Sequence, residues 1–336
     1  CKEEGLPHFG ADAVAEVIRQ GFRYADRHDR LSLRFSLVSD LIREAGYWAR
    51  KDGHSFVTRA DVESALAHQR HRADLPEQWI QDEIREGTLM VDLQGEVVGQ
   101  VNGLSVYELG DYAFGRPTRI TARTYVGTKG VIDIQREVEL AGNIHSKGVM
   151  TLAGFLAGKF AGMQPFALSA TLTFEQTYSE IEGDSAAVAE LTAVLSSLAD
   201  LPVRQSLAVT GSVNQLGEIQ PIGGVNEKIE GFFESCKRRG LTGTQGVIIP
   251  ARNTKHLALN REVVAAVEEG KFAVYGVDHV EQALELLIGV PAGERGPEGT
   301  FPPESIYGRT AARLEEMAQI VANWGEGEEE PEKITG

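Results

Sequence analysis

The hydrophobic periodicity of this chain changes near residue 78, and no other sequence feature constrains the fold as strongly. Residues 11–70 carry apolar side chains at the three- and four-residue spacing of helices, in three segments separated by polar joints. From about residue 79 short β-rich runs with glycine punctuation take over, and from residue 148 they alternate with helical segments. The sequence therefore predicts a small all-helical bundle over residues 1–78. An α+β or α/β domain with mixed sheets should follow over residues 79–290.

Three amphipathic segments make up the helical part of this pattern. The apolar stripes of the first two are Val14, Val17, Ile18 and Phe22, and then Leu37, Leu41, Ile42, Ala45, Trp48 and Ala49. The third segment begins at Thr58, and Asp61 completes a near capping box in which Asp replaces the usual Glu. We expect three helices here, followed by a polar joint near residues 69–77.

The second domain is predicted from β-rich runs and the helices between them. Early strands are expected at residues 89–93, 97–104, 119–126 and 131–140, and later ones at 169–174, 206–211, 246–250 and 272–277. Residues 120–126 and 131–134 read as an antiparallel hairpin joined by residues 127–130. A helix over residues 280–288 should close the domain. Residues 291–336 predict an acidic tail with one short helix at 310–324.

The charge balance excludes several classes of partner. The 33 Lys and Arg residues against 49 Asp and Glu residues give a net charge of −16, which leaves no basic footprint for nucleic acid or an anionic membrane. The sequence contains no run of 18 apolar residues, which is about the length needed to span a bilayer. The two cysteines, Cys1 and Cys236, support neither a disulfide framework nor a zinc site, which fits a reducing, cytoplasmic location. Because residue 1 is Cys, we interpret the chain as a piece of a longer protein.

Several catalytic and binding motifs are missing from the sequence. There is no Gly-x-x-x-x-Gly-Lys-Ser/Thr loop and no Gly-x-Gly-x-x-Gly after a strand, so this chain should hold no nucleotide by itself. His-Glu-x-x-His is absent and the eight histidines lack metal-ligand spacing, which argues against a metallopeptidase. Gly-x-Ser-x-Gly, the turn of α/β-hydrolases, is also absent.

A serine at a predicted helix start is the first candidate for chemistry. Glu182-Gly-Asp-Ser185 ends a loop and precedes a helix with apolar positions Val188 and Leu191. Unpaired backbone N–H groups at a helix N-terminus can stabilise a developing oxyanion if something activates the hydroxyl. The alternative is that Ser185 or Asp184 simply caps the helix.

A lysine beside an apolar helix seam is the second candidate. Lys228 lies about 40° from Phe232 and about 60° from Val225 around a helix that follows the pair Gly223-Gly224. Burial would lower the pKa of its amine, and such a lysine can act as a general base in Ser-Lys variants of the catalytic triad. The alternative is a lysine whose stem covers apolar surface while its charge reaches water.

Taken together, these two segments resemble the catalytic core of Lon-type proteases, particularly the archaeal-like B class. The family places its serine in Glu-Gly-Asp-Ser-Ala and its lysine in Pro-Ile-Gly-Gly-x-x-x-Lys-Ile, which match Ser185 and Lys228 here. The resemblance covers about residues 85–290. It implies a serine endopeptidase with a Ser-Lys dyad, a threonine at Thr210 that hydrogen-bonds the lysine, and supporting roles for Glu182, Gly183 and Asp184 around the oxyanion.

The pattern around the serine points to a B-class or bacterial B-like member. The A class has Pro before the serine and Gly two residues after it, where this chain has Asp184 and Ala187. The B class commonly continues Ser-Ala-Ser, so Ala187 departs from that pattern too. His145 and Lys147 match the family sequence without an evident chemical role.

The resemblance also accounts for the helical bundle, which looks like the lid of an AAA+ ATPase module. Arg34 falls where such lids often carry an arginine that senses a nucleotide phosphate. The resemblance implies a homo-hexameric ring, unfolded proteins or peptides as substrates, no metal and no cofactor in this chain, and ATP as a possible ligand of the parent protein.

Two hypotheses from other functional classes stay open. A serine esterase of the Gly-Asp-Ser kind would need a histidine base, for which His256 and His279 are candidates. A non-catalytic ring-assembly module would need neither the serine nor the lysine.

Overall fold

The computed structural model describes residues 1–161 and 167–325, a set of helices around one large sheet. The helices are α1 (Ala11–Arg23), α2 (Phe35–Lys51), α3 (Arg59–Ala73), α4 (Leu75–Glu86), α5 (Ile134–Glu137), α6 (Asn143–Phe160), α7 (Ala187–Ala199), α8 (Val225–Arg239), α9 (Arg261–Glu268), α10 (Val280–Ile288) and α11 (Ile306–Gly325). The strands are β1 (Glu96–Val98), β2 (Gln100–Leu109), β3 (Tyr112–Val126), β4 (Gly130–Asp133), β5 (Leu168–Phe174), β6 (Pro202–Arg204), β7 (Leu207–Val209), β8 (Ser212–Val213), β9 (Ile219–Gln220), β10 (Gly246–Pro250) and β11 (Ala273–Val277). The prediction of an α+β fold with mixed sheets is confirmed.

Helices α1 to α3 form the predicted bundle around a small apolar core. The core consists of Ala13, Leu41, Ala45, Ala49, Val57, Val62 and Ala65. Helix α3 begins after Thr58, whose backbone N–H donates to Asp61 at 2.7 Å, so the shortened capping box is confirmed. The predicted apolar face of α1 is confirmed only in part, because Val17 packs against this core whereas Val14 and Ile18 are exposed. The buried face carries Glu16 instead, which pairs with Arg19 and Arg261.

Helix α4 occupies part of the predicted polar joint and contacts the second domain. The Gln81 amide donates to the Gly231 carbonyl at 3.2 Å and accepts from Ser235 at 2.8 Å. The sequence pattern missed this helix because its buried face, which includes Glu77, Gln81 and Ile84, is mostly polar. A polar helix face can be buried when the partner surface satisfies its hydrogen bonds.

A seven-stranded mixed sheet with the order β11-β10-β7-β2-β3-β5-β4 forms the centre of the second domain. The predicted hairpin between β3 and β4 is wrong, since β5 lies between them, antiparallel to β3 and parallel to β4. The side chains of β5 are buried on both faces, which requires a place inside the sheet rather than at its edge. Residues 89–93 form no strand.

Helices cover both faces of the sheet and enclose two separate cores. On one face α7, the most completely buried helix, packs with residues of α6, α10 and α11. On the other face α8 packs with residues of α4 and α9. The sheet therefore separates α7, which follows Ser185, from α8, which carries Lys228.

The C-terminal part of the chain contributes to the first of these cores. Helix α11 has 20 residues and buries Tyr307 and Met317, so it is longer than predicted and is packed against the domain. Of the acidic tail predicted at residues 291–336, the part from 326 to 336 lies outside the described residues. None of the described helices combines the length and the apolar character needed to cross a membrane.

Two glycines let α8 approach β3 closely. A Cβ atom on Gly115 would lie 2.1 Å from the Glu227 carbonyl oxygen, and one on Gly231 would lie 1.9 Å from the Gly115 carbonyl oxygen. Both distances are far below van der Waals contact with backbone atoms that cannot move aside singly. The same Gly115 position lies 2.7 Å from the Lys228 Cα, so this contact also fixes the height of Lys228 above the sheet.

We expect Gly115→Ala to lower the free energy of unfolding by about 1–3 kcal/mol, because α8 must move away from β3. Urea denaturation followed by circular dichroism would measure this change. The control is Gly158→Ala in α6, where an added Cβ meets nothing within 4 Å and helix propensity favours Ala. Equal denaturation midpoints for the two variants would contradict the close-packing interpretation.

Candidate active site

Ser185 lies in a turn that is tied to the end of β7. Gly183, two residues earlier, has a φ of +91°, a backbone conformation that side-chain-bearing residues rarely adopt. The Ser185 carbonyl accepts hydrogen bonds from the Gly211 N–H at 2.7 Å and the Thr210 hydroxyl at 3.1 Å. The Ser185 side chain is therefore presented beside the residues that follow β7, two residues before α7 begins.

Lys228 reaches this turn from α8 on the other side of the sheet. Its Nζ lies 2.7 Å from Ser185 Oγ and 3.1 Å from Thr210 Oγ1. The side chain is only 4% exposed, so the predicted burial of its stem is confirmed and the open alternative of a solvent-reaching charge is not what the structure shows. The amine and the hydroxyl, 43 residues apart in sequence, are within hydrogen-bond distance.

The surroundings of Lys228 lower the pKa of its amine toward neutrality. Burial lowers the pKa of Lys228 to about 8, against the negative charges of Asp184 and Glu227, which act to raise it. Desolvation is the larger effect. At physiological pH a minor fraction of an amine with this pKa is neutral, far more than for an ordinary lysine, and this fraction can accept a proton.

The acidic residues around the serine occupy different positions. Asp184 accepts a hydrogen bond from the Ser212 hydroxyl at 2.8 Å, and its charge acts on Lys228. Glu182 faces α6 instead, where it accepts from the Ile144 N–H at 3.3 Å. Ser212 was not predicted, although it stands two residues after Thr210 in the same segment. Of the two predicted carboxylates, only Asp184 is among the charges that act on the lysine.

Two backbone N–H groups lie next to the serine hydroxyl in the chain. Among the hydrogen bonds between described residues, none uses the backbone N–H of Asp184 or Ser185. Such groups just before a helix N-terminus are suited to hold an oxyanion. The arrangement therefore places a hydroxyl, an amine with a lowered pKa and backbone N–H donors next to one another.

The other predicted residues lie apart from this pair. Arg34 is an exposed residue at the start of α2. His256 shares a hydrogen bond with Asn253, and His279 caps α10 and contacts Glu281. Neither histidine forms a hydrogen bond with Ser185 in the described part of the chain. Lys147 is exposed on α6, whereas His145 on the same helix is fully buried.

Two family descriptions match the chain in separate regions. Residues 8–72 match the AAA+ ATPase lid domain of archaeal LonB. Residues 179–289, which contain both Ser185 and Lys228, match the Lon protease C-terminal proteolytic domain.

Individual relatives give the same result over most of the chain. A Lon protease homolog of Escherichia coli is 45% identical over 290 residues, which is 86% of this chain and 49% of the relative. A Lon protease homolog of Haemophilus influenzae is 45% identical over 73% of this chain and 41% of its own length. An archaeal Lon protease of Pyrococcus abyssi is 31% identical over 85% of this chain and 27% of its own length. The chain thus spans about half or less of these relatives.

Proposed function

Because the chain belongs to the Lon protease family, we propose that it is a serine endopeptidase in which Ser185 is the nucleophile and Lys228 the general base. The observation that carries this proposal is the 2.7 Å contact between Lys228 Nζ and Ser185 Oγ, made by an amine that is almost completely buried. Burial lowers the pKa of the amine, so that its neutral form can act as a base. The short contact lets the proton of Ser185 Oγ pass directly to Lys228 Nζ.

The proposed reaction uses these positions in two steps. Neutral Lys228 takes the proton of Ser185 Oγ as the oxygen attacks a peptide carbonyl, and the backbone N–H groups of Asp184 and Ser185 donate to the oxyanion. The ammonium of Lys228 then returns the proton to the leaving amine, which leaves an acyl-enzyme on Ser185. Water, deprotonated by the same amine, hydrolyses the ester. Thr210 accepts a hydrogen bond from Lys228 and holds the amine toward the serine.

The sheet edge beside the dyad supports an extended peptide as substrate. Strand β2 pairs with β7 only at Asn102 and Gly103, whereas it continues to Leu109. Beyond Gly103, no described strand pairs with the edge of β2 that faces β7. Thr210 follows the last residue of β7 on the same side of β2. Such an edge can bind an extended chain through backbone hydrogen bonds, which favours unfolded proteins or peptides over compact substrates.

The parent protein would add functions that this chain lacks. We propose that residues 8–72 act as the lid of an ATPase module, that Arg34 senses the nucleotide of that module, and that the chains assemble as a homo-hexameric ring. ATP binding by the parent and the ring can be tested on the full-length protein by nucleotide titration and mass photometry, with Arg34→Ala as the probe of the sensor role.

A serine-directed label tests the proposed function against its rivals. We expect a fluorophosphonate to modify the protein at Ser185, and unfolded casein to be cleaved without metal. Under the esterase alternative, His256→Ala or His279→Ala would abolish labelling and cleavage, whereas Lys228→Met would leave both unchanged. A non-catalytic assembly module would neither react with the label nor cleave casein. Either result would overturn the proposal.

Replacing Thr210 should weaken the base without removing it. We expect Thr210→Val to lower kcat by about 10-fold, the lower end of the effect of residues that orient a catalytic group. The Thr210 hydroxyl accepts a hydrogen bond from the ammonium form of Lys228 and so stabilises it. Its loss should lower the pKa of the amine and move the ascending limb of the pH profile to lower pH. Buried Thr192, whose hydroxyl bonds the Val188 carbonyl within α7, provides the control Thr192→Val. An unchanged pH limb in Thr210→Val would argue against its contact with the base.

A further inference from the structure

A buried histidine and two buried carboxylates meet directly behind the serine turn. Asp133 ends β4, His145 lies in the first turn of α6, and Glu190 lies in the first turn of α7. All three side chains are at most 3% exposed. His145 Nε2 lies 3.0 Å from Asp133 Oδ2 and 3.7 Å from Glu190 Oε1, and the ring packs edge-on against Phe174. None of the described groups of His, Cys, Asp and Glu, this one included, is arranged to hold a metal ion.

A buried carboxylate oxygen of this cluster has no hydrogen-bond partner in the described part of the chain. His145 Nε2 carries a single position for a proton, and Asp133 takes the shorter contact. Glu190 Oε1 is buried and has no hydrogen-bond partner among the described residues. A buried carboxylate in this position is costly when ionised, because no donor among the described residues compensates its charge. The geometry therefore favours a proton on Glu190.

The cluster touches the catalytic turn on two sides. Gly148 of α6 faces Asp184 so closely that an added Cβ would lie 3.0 Å from the Asp184 Cβ. The Glu190 N–H donates to the Ala186 carbonyl at 3.0 Å and thereby closes the first turn after Ser185. A change in the position of α6 or of the first turn of α7 must consequently displace Asp184 and Ser185.

We propose that His145 and Glu190 are positioning residues for Ser185, acting through a proton that they hold in the buried cluster formed with Asp133. This inference rests on the proposed function, since it assumes that Ser185 reacts. With the proton on Glu190, the carboxyl group that lacks a donor is uncharged. When that proton leaves to solvent, the cluster gains one negative charge behind the turn, and α6 and α7 lose their tight contact.

The titration behaviour agrees with this geometry. Burial raises the pKa of Glu190 to about 7, which the charge of His145 opposes and the charges of Asp133 and Asp184 reinforce. Burial acts to lower the pKa of His145, but the hydrogen bond to Asp133 and the charges of Glu190 and Glu182 raise it above its ordinary value. Glu190 thus changes its charge within the working range of a base whose pKa is about 8.

The test compares kcat at several pH values in the wild-type protein and in Glu190→Gln, which mimics the protonated acid. We expect the ratio of the variant's kcat to that of the wild type to be about one at pH 6 and to rise to about threefold at pH 9, with KM unchanged. The matched control is Glu16→Gln, another fully buried glutamate that lies in α1, for which the ratio should not vary with pH. A ratio for Glu190→Gln that is constant from pH 6 to 9 would overturn the proposal.

Two readouts separate this proposal from the proposed function. The difference in melting temperature between Glu190→Gln and wild type should grow as the pH rises from the ordinary pKa of 4.5 toward 7 and should level off above it. The sign follows because a pKa raised in the folded state makes the wild type lose stability between the two values, where the unfolded chain has ionised and the folded protein still holds the proton. Infrared spectra of the wild-type protein should show a protonated carboxyl at pH 6 that has ionised by pH 9, and its absence at pH 6 would sink the proposal. Neither readout depends on the reactivity of Ser185, which the fluorophosphonate label reports separately.

Discussion

Ser185→Ala is expected to lower kcat for casein or a peptide substrate by at least about 10⁴-fold, because Ser185 Oγ is the hydroxyl that lies 2.7 Å from Lys228 Nζ, and the other hydroxyl bonded to this amine, Thr210 Oγ1, donates to the Ser185 carbonyl. Substrate binding should persist, since the free edge of β2 is unchanged and the serine hydroxyl contributes little to the ground-state complex. Initial rates with a fluorogenic peptide, together with the labelling yield of a fluorophosphonate, would measure the loss.

Ser206 provides the matched control for this substitution. It is a partly buried serine that precedes β7, whereas Ser185 lies beside the residues that follow this strand. Ser206→Ala should retain labelling and turnover within about twofold, as surface-proximal substitutions usually do. Residual labelling in Ser185→Ala equal to that of the wild type would mean that another residue is the nucleophile, and the dyad would have to be abandoned.

Lys228→Met is expected to lower kcat by about 10²–10⁴-fold, the contribution that a positioned general base makes. Methionine keeps the unbranched apolar stem but removes the amine, so packing against β3 is preserved. Lys228→Arg should be equally inactive, since a guanidinium stays protonated at every working pH. The exposed Lys237 of the same helix, which pairs with Glu234 and Glu262, gives the control Lys237→Met.

The pH profile tests the same assignment independently. Because only the neutral amine accepts a proton, kcat should rise through an ascending limb near pH 8, the pKa of Lys228. A limb near pH 6.5, typical of an imidazole, would contradict the lysine assignment and favour a histidine base.

Removing this amine should also change stability in a pH-dependent way. The pKa of Lys228 is lower in the folded protein than its ordinary value, so the folded state loses stability whenever the ammonium must be buried. Lys228→Met should therefore raise the melting temperature most below pH 8, and the gain should shrink as the pH approaches 10. If Lys228→Met is inactive but shows this pH-dependent gain in melting temperature, the variant is folded. Its inactivity then reflects the missing base and not a loss of structure.

The two catalytic candidates were readable from the sequence because each depends on local features. A serine after Gly-Asp at a helix start and a lysine beside a helix seam are patterns of neighbouring residues, and the predicted burial of Lys228 followed from helix geometry alone. The bundle, the cap at Thr58 and most strand positions were predictable for the same reason.

The connections between distant segments were not predictable in this way. The sequence suggested that β3 and β4 pair as a hairpin, but β5 lies between them. Helix α4 was missed because its buried face, with Glu77 and Gln81, is satisfied by partners on other elements. In both cases the stabilising contacts come from segments far away in sequence, which local periodicity does not register.

The sequence by itself determined which residues could do chemistry and that the lysine stem would be buried. Only the tertiary structure decided that the amine and the hydroxyl meet at 2.7 Å, that desolvation outweighs the charges of Asp184 and Glu227, and that Asp133, His145 and Glu190 share one buried cluster. The physical reason is that helix and strand patterns arise from nearest neighbours along the chain. Distances and electrostatic balances across the sheet depend on strand order and on the glycine contact that brings α8 against β3.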